Sequence, residues 1–131
     1  MNDRAWLAPL TGLAFFALTI VVFTVFGEPP DADEPAQEIV DFYVDNEGAQ
    51  IASGLLEGIA ATLFVFFGAV VRRALRAAEG ERSVLADVAF AGTIVFAVGL
   101  AIDATITFAL AETAADIDPS AVQALTALWH N

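Results

Sequence analysis

The apolar residues of this 131-residue chain are collected in three long runs that polar segments separate. The runs are Trp6–Phe26, Ile51–Val71 and Val84–Leu110, of 21, 21 and 27 residues. A helix needs about 20 apolar residues to cross the hydrocarbon core of a bilayer. The pattern therefore predicts an all-α protein, an integral membrane bundle of three transmembrane helices.

The segment between the first two runs has the pattern of a short amphipathic helix. Asp33 is a plausible N-cap, and Gly48 is a plausible stop. Ile39, Phe42 and Tyr43 follow an i, i+3, i+4 spacing, which places them on one side of a helix. We expect this helix to lie on the membrane surface or to cap the bundle.

The tail after the third run repeats this arrangement. Asp118 is a plausible N-cap, and Pro119 suits the first helical position. The apolar positions that follow fall on one side: Val122, Leu125, Leu128 and Trp129. The sequence thus predicts two amphipathic helices in addition to the three spans.

Composition supports the membrane interpretation and excludes several classes of site. Hydrophobic residues make up 58% of the chain and charged residues 17%, which is too apolar for a soluble domain of this size. The chain has no cysteine and one histidine, so no metal site and no cofactor is expected. Motifs for nucleotides, zinc hydrolysis or triad catalysis are absent, and we expect no enzyme activity and no nucleic-acid binding.

The charges are distributed by segment. Residues 27–50 hold eight acids and no base, and the tail 111–131 adds three acids. The linker 72–83 holds four arginines against two acids. Because arginine-rich loops stay in the cytoplasm, we expect residues 27–50 and 111–131 outside and residues 72–83 inside, with a cytoplasmic N-terminus. The first run is longer than the apolar part of a signal peptide, which favours an uncleaved anchor.

Two carboxylates interrupt the apolar runs. Glu57 and Asp103 each lie about 10 Å below the outer end of their span. Thr19 falls at the same depth in the first span, and Ser53 and Thr107 lie one turn nearer the outside. An ionised carboxylate at such a depth costs about 2.5–3.5 kcal/mol on insertion scales. Three explanations stay open: an interhelical hydrogen bond, a proton or cation site, and an error in the span boundaries.

Small residues accompany both acids. Gly54 and Gly58 have the spacing of a G-x-x-x-G helix-packing motif, and Gly92 and Gly99 precede Asp103 on the third run. These glycines predict close helix packing on the faces that carry the acids. Glu57 and Asp103 are therefore expected to face protein and not lipid.

Three loop segments carry a resemblance to a known family. They are "GEPPDADEPAQEIVDFYVDN" (27–46), "VRRALRAAEGERSVLADVAFAG" (71–92) and "IDPSAVQALTALWH" (117–130). Their order resembles uncharacterised bacterial multi-pass membrane proteins of the domain of unknown function 4386 type. The resemblance implies a prokaryotic plasma-membrane protein. It matches the front half of that family, whose members continue with further spans.

Two functions follow from these observations. The leading one is a non-enzymatic structural, accessory or interaction subunit, a single membrane domain over residues 1–131 that packs with other copies or other membrane subunits. The alternative is a proton- or cation-handling module in which Glu57 and Asp103 are the exchange carboxylates. In that alternative Thr19, Ser53 and Thr107 line the access route.

Overall fold

The fold was analysed in a computed structural model that describes residues 9–79 and 84–130, without the side chains of Trp129 and His130. These residues form five α-helices and no strand, so the all-α prediction is confirmed. The helices are α1 (Leu10–Val25), α2 (Ala36–Asp45), α3 (Glu47–Glu79), α4 (Val84–Thr113) and α5 (Pro119–His130). α3 and α4 are long and apolar enough to cross a membrane, and α1 is a shorter apolar helix of 16 residues.

The centre of the fold is an antiparallel hairpin of α3 and α4. Gly54 lies against Ala104 at one end, and the rings of Phe64 and Phe96 meet 5.1 Å apart near the middle. α1 packs antiparallel along α3, where the ring centroids of Phe15 and Phe64 are 4.6 Å apart. The ring of Phe64 thus meets both α1 and α4, and α3 is the helix that both of the others contact.

α3 is longer than the predicted span in both directions. The expected arginine linker 72–83 is helical as far as Glu79. Residues 72–79 consist of Ala, Arg, Leu and Glu, which are strong helix formers, and contain no glycine. Arg72 and Arg76 each bind Asp87 of α4, with N–O distances of 2.8 Å. We call this end of the hairpin the arginine end. Arg4, Arg82 and the predicted span start at Trp6 lie outside the described residues.

The opposite end carries a compact cap formed by α2, α5 and the end of α4. Its core consists of buried side chains from all three elements: Ile39, Val40, Tyr43, Leu110, Ala114 and Val122. Phe42, Ile106 and Ile117 pack around them. Both predicted amphipathic helices thus bury an apolar face, and they do so against each other and α4.

The ends of the cap helices differ in part from the prediction. Asp118 does cap α5, since its carboxylate accepts the backbone N–H of Ser120 at 2.8 Å. α2 instead begins at Ala36 without a side-chain cap, and Gly48 does not stop it. The helical path is interrupted at Asn46, between α2 and α3, and Gly48 lies in the first turn of α3. On α5, Val122 is buried, but Leu128 is 74% exposed.

The predicted glycine packing is found at one of its four positions. A Cβ atom at Gly54 would lie 2.9 Å from the carbonyl oxygen of Ala104, so the two helices touch there. Gly58, Gly92 and Gly99 have nothing within 4 Å of an added Cβ. A methyl group added at any of these three positions would therefore meet open space. Two close approaches were missed: Gly12 against Phe67 and Gly68 against Thr93.

This difference gives a matched pair of variants. Gly54→Ala forces its methyl group against a backbone oxygen and should destabilise the hairpin by about 1–3 kcal/mol. Gly58→Ala meets open space and should be neutral or stabilising by up to about 1 kcal/mol, because alanine is the better helix former. Loss of helicity during denaturant unfolding in detergent measures both. A larger decrease in the free energy of unfolding for Gly58→Ala than for Gly54→Ala contradicts the helix packing described above.

Candidate functional site

The buried polar side chains of the fold gather in one place. Among the described residues five polar or charged ones are buried: Gln50, Ser53, Glu57, Asp103 and Thr126. All five line a single cavity between the hairpin and the cap. We call it the cap cavity. Its volume of about 80 Å³ has room for several water molecules.

The helical repeat of α3 explains why three of these side chains meet. Gln50, Ser53 and Glu57 are spaced i, i+3 and i+7, so they share one face of the helix. Further along α3 the face turned to α4 is small, with Ala61 and Gly68 buried. The polar part of this face therefore lies only at the end near the cap.

Glu57 and Asp103 form a carboxyl pair across the two helices. Their side chains are within hydrogen-bonding reach, and the residues are 7% and 9% exposed. A carboxylate has no hydrogen to donate, so a hydrogen bond between two carboxyl groups contains a proton. The pair in that state carries one negative charge in place of two. This lowers the cost of burying the two groups side by side.

Two hydroxyl groups face the cavity without an internal partner. Ser53 is 6% exposed and Thr107 is half-buried, and both line the cap cavity. Neither makes a hydrogen bond to another residue in the described part of the chain. By contrast, Thr105 donates to the carbonyl of Ala101 at 2.7 Å. The oxygens of Ser53 and Thr107 are thus available to the contents of the cavity.

The cap closes the cavity with Tyr43 and Thr126. The hydroxyl of Tyr43 is within hydrogen-bonding reach of Thr126, which itself donates to the carbonyl of Val122 at 3.0 Å. Burial raises the pKa of Tyr43 above its ordinary value of 10.0, the hydrogen bond with Thr126 opposes this, and the charge of Asp103 adds to it. Tyr43 is therefore a neutral phenol that connects α2 with α5 beside the carboxyl pair.

The turn after α1 forms the rim of the cavity. The side chain of Gln50 donates to the carbonyl of Phe26 at 3.0 Å, which fixes the end of α1 to α3. Gly27 has a φ of 73°, a conformation that glycine adopts without strain. This turn brings Glu28 and Pro29 to the cavity lining. Glu28 is exposed and places a carboxylate at the rim.

The predicted polar residues are brought together with one exception. Glu57, Asp103, Ser53 and Thr107 all line the cap cavity. Thr19 is not among the lining residues. Its hydroxyl donates to the carbonyl of Phe15 at 2.9 Å within α1. The contribution of α1 is apolar, from Val22 and Phe23. The depth of a residue along its span predicted which polar residues lie at the same level. It does not predict how α1 is rotated about its own axis, and so which of its residues face the cavity.

Sequence reasoning missed Gln50, Tyr43 and Thr126. Gln50 had a signal, since it precedes Ser53 by three residues and Glu57 by seven. Tyr43 was assigned only to the apolar face of α2, and its hydroxyl was not considered. Thr126 lies one turn after Val122, on the buried face of α5. Its partner on α2 could not be identified before the packing of the two cap helices was known.

The oxygen groups limit what the cavity can bind. The described residues contain no group of three or more His, Asp or Glu side chains that could hold a metal ion. Two carboxyl groups with neutral hydroxyls suit a proton or a hard cation of low charge. Comparison with known protein families, curated proteins and solved structures gives no match to this chain. The family resemblance therefore stays a prediction.

Tyr43 offers a direct test of the cap, because it is the sole tyrosine of the chain. In the folded protein its phenolate absorbance should appear above the ordinary pKa of 10.0. Since the folded-state pKa is raised, the stabilisation from neutral Tyr43 is present below pH about 10 and is lost as the pH rises through the folded-state pKa. A spectrophotometric titration measures this, with Tyr43→Phe as the blank. Titration at or below 10 in the folded state contradicts the buried position.

Proposed function

We propose that this chain is a multi-pass membrane protein that binds and exchanges a proton or cation at the carboxyl pair of Glu57 and Asp103. In this proposal α1, α3 and α4 span the bilayer, and the cap lies on the extracytoplasmic side. The observation that carries the function is the convergence of all five buried polar residues of the described chain on one cavity.

The exposure of the long helices supports a membrane location. A core helix of a soluble protein is mostly buried, whereas the most apolar windows of α3 and α4 are 28% and 11% buried. Both helices present large apolar side chains outward, among them Leu55, Ile59, Phe66, Val88, Val95, Val98 and Ile102. α1 does the same with Leu13, Phe16 and Ile20. An apolar surface of this extent is unfavourable in water and matches lipid chains.

The charges at the two ends support the orientation. Eleven acids lie in residues 27–47 and 112–118 around the cap, and all are exposed. Arg72, Arg73 and Arg76 lie at the arginine end. By the positive-inside rule, this distribution supports a cytoplasmic arginine end and an acidic cap outside.

The lining of the cavity favours exchange over a purely structural hydrogen bond. A structural pair needs only the contact between Glu57 and Asp103. Here the pair borders a space large enough for water, and two further hydroxyls face that space without a partner among the described residues. A cavity with accessible hydroxyl oxygens beside the pair is the arrangement that a transient cation or proton needs.

A second candidate function, assembly with another membrane helix, has its own observation. An open groove of about 490 Å³ runs along α3 and α4 on the side away from the cap cavity. It is lined by small and apolar residues: Gly54, Leu55, Gly58, Ile59, Thr62, Ala101, Ala104, Thr105 and Phe108. Small residues allow a neighbouring helix to approach closely in lipid. This supports association with a second copy or another subunit.

The topology can be tested with single cysteines, because the chain has none of its own. Asp33→Cys and Asp116→Cys lie at the cap, and Ala78→Cys lies near the arginine end. A membrane-impermeant maleimide should label the two cap positions in intact cells and should label Ala78→Cys only after permeabilisation. Equal labelling of Asp33→Cys and Ala78→Cys in intact cells would show that α3 does not cross the bilayer.

The carboxyl pair can be tested with a carbodiimide that modifies protonated carboxyls in apolar surroundings. In lipid, modification detected by mass spectrometry should concentrate on Glu57 or Asp103 and should fall as the pH rises from 5 to 9. Glu57→Gln should abolish modification at position 57 and keep the helical content. Glu28→Gln is the matched control, since Glu28 is exposed at the rim and its loss should leave the modified site unchanged.

Absence of modification at both acids at every pH, in a protein that is folded, would exclude the proposed exchange. The pair would then be an interhelical hydrogen bond, and assembly would be the function that stands.

A further inference from the structure

We propose that the arginine end binds the headgroup of an anionic phospholipid of the cytoplasmic leaflet, with an acyl chain of that lipid in the apolar groove between α3 and α4. The inference rests on the membrane location and orientation in the proposed function, and it does not involve the carboxyl pair. It gives the arginines a ligand in addition to their part in orientation.

The arginine end holds more positive charge than its own acids neutralise. Arg72 and Arg76 share a single carboxylate, that of Asp87, with N–O distances of 2.8 Å. Arg73 is exposed and makes no hydrogen bond or ion pair among the described residues. With Glu79 at the end of α3 included, the described residues of this end carry one net positive charge. Arg73 is the cation that remains without a partner there.

The shared carboxylate also leaves donors on the two paired arginines. Arg72 donates to Asp87 from Nε and Nη2, and Arg76 donates from Nη2. A guanidinium has five N–H donors, so each arginine keeps further N–H groups for another acceptor. Their side chains are 37% and 42% exposed, which makes these groups accessible. Arginine suits phosphate oxygens because it can donate two parallel N–H bonds.

The positions of the arginines on α3 favour an anion among them. Arg73 and Arg76 are spaced i, i+3, so they are neighbours on the helix surface and repel each other. Arg72 is held towards α4 by Asp87 and by the ring of Phe90, whose centroid is 5.2 Å from the guanidinium carbon. A phosphate beside Arg73 and Arg76 would remove their repulsion.

An apolar groove leads towards this end from the middle of the hairpin. It has a volume of about 230 Å³ and is lined by Gly58, Ala61, Thr62, Val65, Ile94, Ala97, Val98 and Ala101. The hydroxyl of Thr62 donates to the carbonyl of Gly58 at 3.0 Å, so this side chain needs no polar partner in the groove. Such a lining is suited to a hydrocarbon chain.

The face of each helix that lines the groove continues to the charged cluster. On α3, Val65 is followed at helical spacing by Ala69, and then by Arg72 and Arg73. On α4, Ile94 is preceded by Phe90 and Asp87 at the same kind of spacing. The groove and the arginines are therefore parts of one surface.

The length of this surface matches one leaflet. Val65 lies about 12 Å from Arg73 along the helix axis, and Thr62 lies about 16 Å from it. The hydrocarbon of one leaflet is about 15 Å thick, half of the bilayer core. A lipid whose phosphate lies at Arg73 thus places its chain in the groove. A second copy inserted in the same orientation would instead bring like charges together at both ends of the hairpin.

The first experiment is native mass spectrometry of the full chain in detergent with equal amounts of phosphatidylglycerol and phosphatidylcholine of the same acyl chains. The form that retains phosphatidylglycerol should exceed the other by about fivefold, which corresponds to about 1 kcal/mol for one arginine near an anionic headgroup. Equal retention of the two lipids overturns the inference.

A pair of variants distinguishes a site from general attraction. Arg73→Gln should bring the ratio of the two retained lipids close to one. The control is Arg73→Gln combined with Ala78→Arg, which restores the total charge but places it about 120–160° around the helix from the three arginines. The control should not regain the preference. Recovery in the control overturns the site, because net charge alone would then attract the lipid.

Competition distinguishes a lipid from a free anion. Inorganic phosphate, compared with acetate at equal ionic strength, should not displace phosphatidylglycerol, because it has no acyl chain for the groove. Short-chain phosphatidylglycerol should compete poorly for the same reason. Displacement by inorganic phosphate to the level of Arg73→Gln overturns the lipid as the occupant. Competition by the short-chain lipid equal to that of the long-chain lipid overturns the part of the groove.

The outcomes separate this inference from the function on which it rests. Labelling of Ala78→Cys in intact cells would remove the proposed orientation and this inference with it. The proposed orientation without a preference for phosphatidylglycerol overturns this inference alone and leaves the carboxyl pair as proposed. Circular dichroism of each variant shows whether a lost preference is a loss of fold.

Discussion

The structure depends on the contact between two carboxyl groups that are buried between two helices. Glu57 comes from α3 and Asp103 from α4, and both side chains line the cap cavity. Two buried negative charges side by side repel each other and are costly to desolvate. A hydrogen bond between the two groups contains a proton, and that proton removes one of the two negative charges. In the proposed function, the cavity beside the pair is the place where this proton exchanges.

The rest of the fold is arranged around that contact. Gly54, one turn from Glu57, lets α3 approach α4 closely enough for the acids to meet. Gln50 fixes the end of α1, and Tyr43 and Thr126 join the two cap helices above the pair. A cluster of buried apolar side chains also lies in the cap. The exposed apolar faces of the three long helices have no such packing, which agrees with lipid as their partner.

The sequence predicted the helices because apolar length and periodicity depend on local residues. It predicted Glu57, Asp103, Ser53 and Thr107 as one group because a polar residue in an apolar run has few stable positions other than a helix interface. It failed where the answer depended on rotation or on distant contacts. Thr19 bonds within its own helix, Gly58 faces open space, and Thr126 meets Tyr43 only through the packing of α2 on α5. The predicted stop at Gly48 was wrong because α2 already ends at Asp45 and α3 begins at Glu47. The predicted end of the second span at Val71 was too early because the helix formers of residues 72–79 continue α3.

The most direct test of the shared proton is infrared spectroscopy of the protein in lipid at neutral pH. A carboxyl group that holds a proton has a carbonyl band distinct from those of a carboxylate. We predict one such band in the unchanged protein and its absence in the double variant Glu57→Gln, Asp103→Asn. A spectrum of the unchanged protein without this band, or one with a band that the double variant retains, would contradict the account.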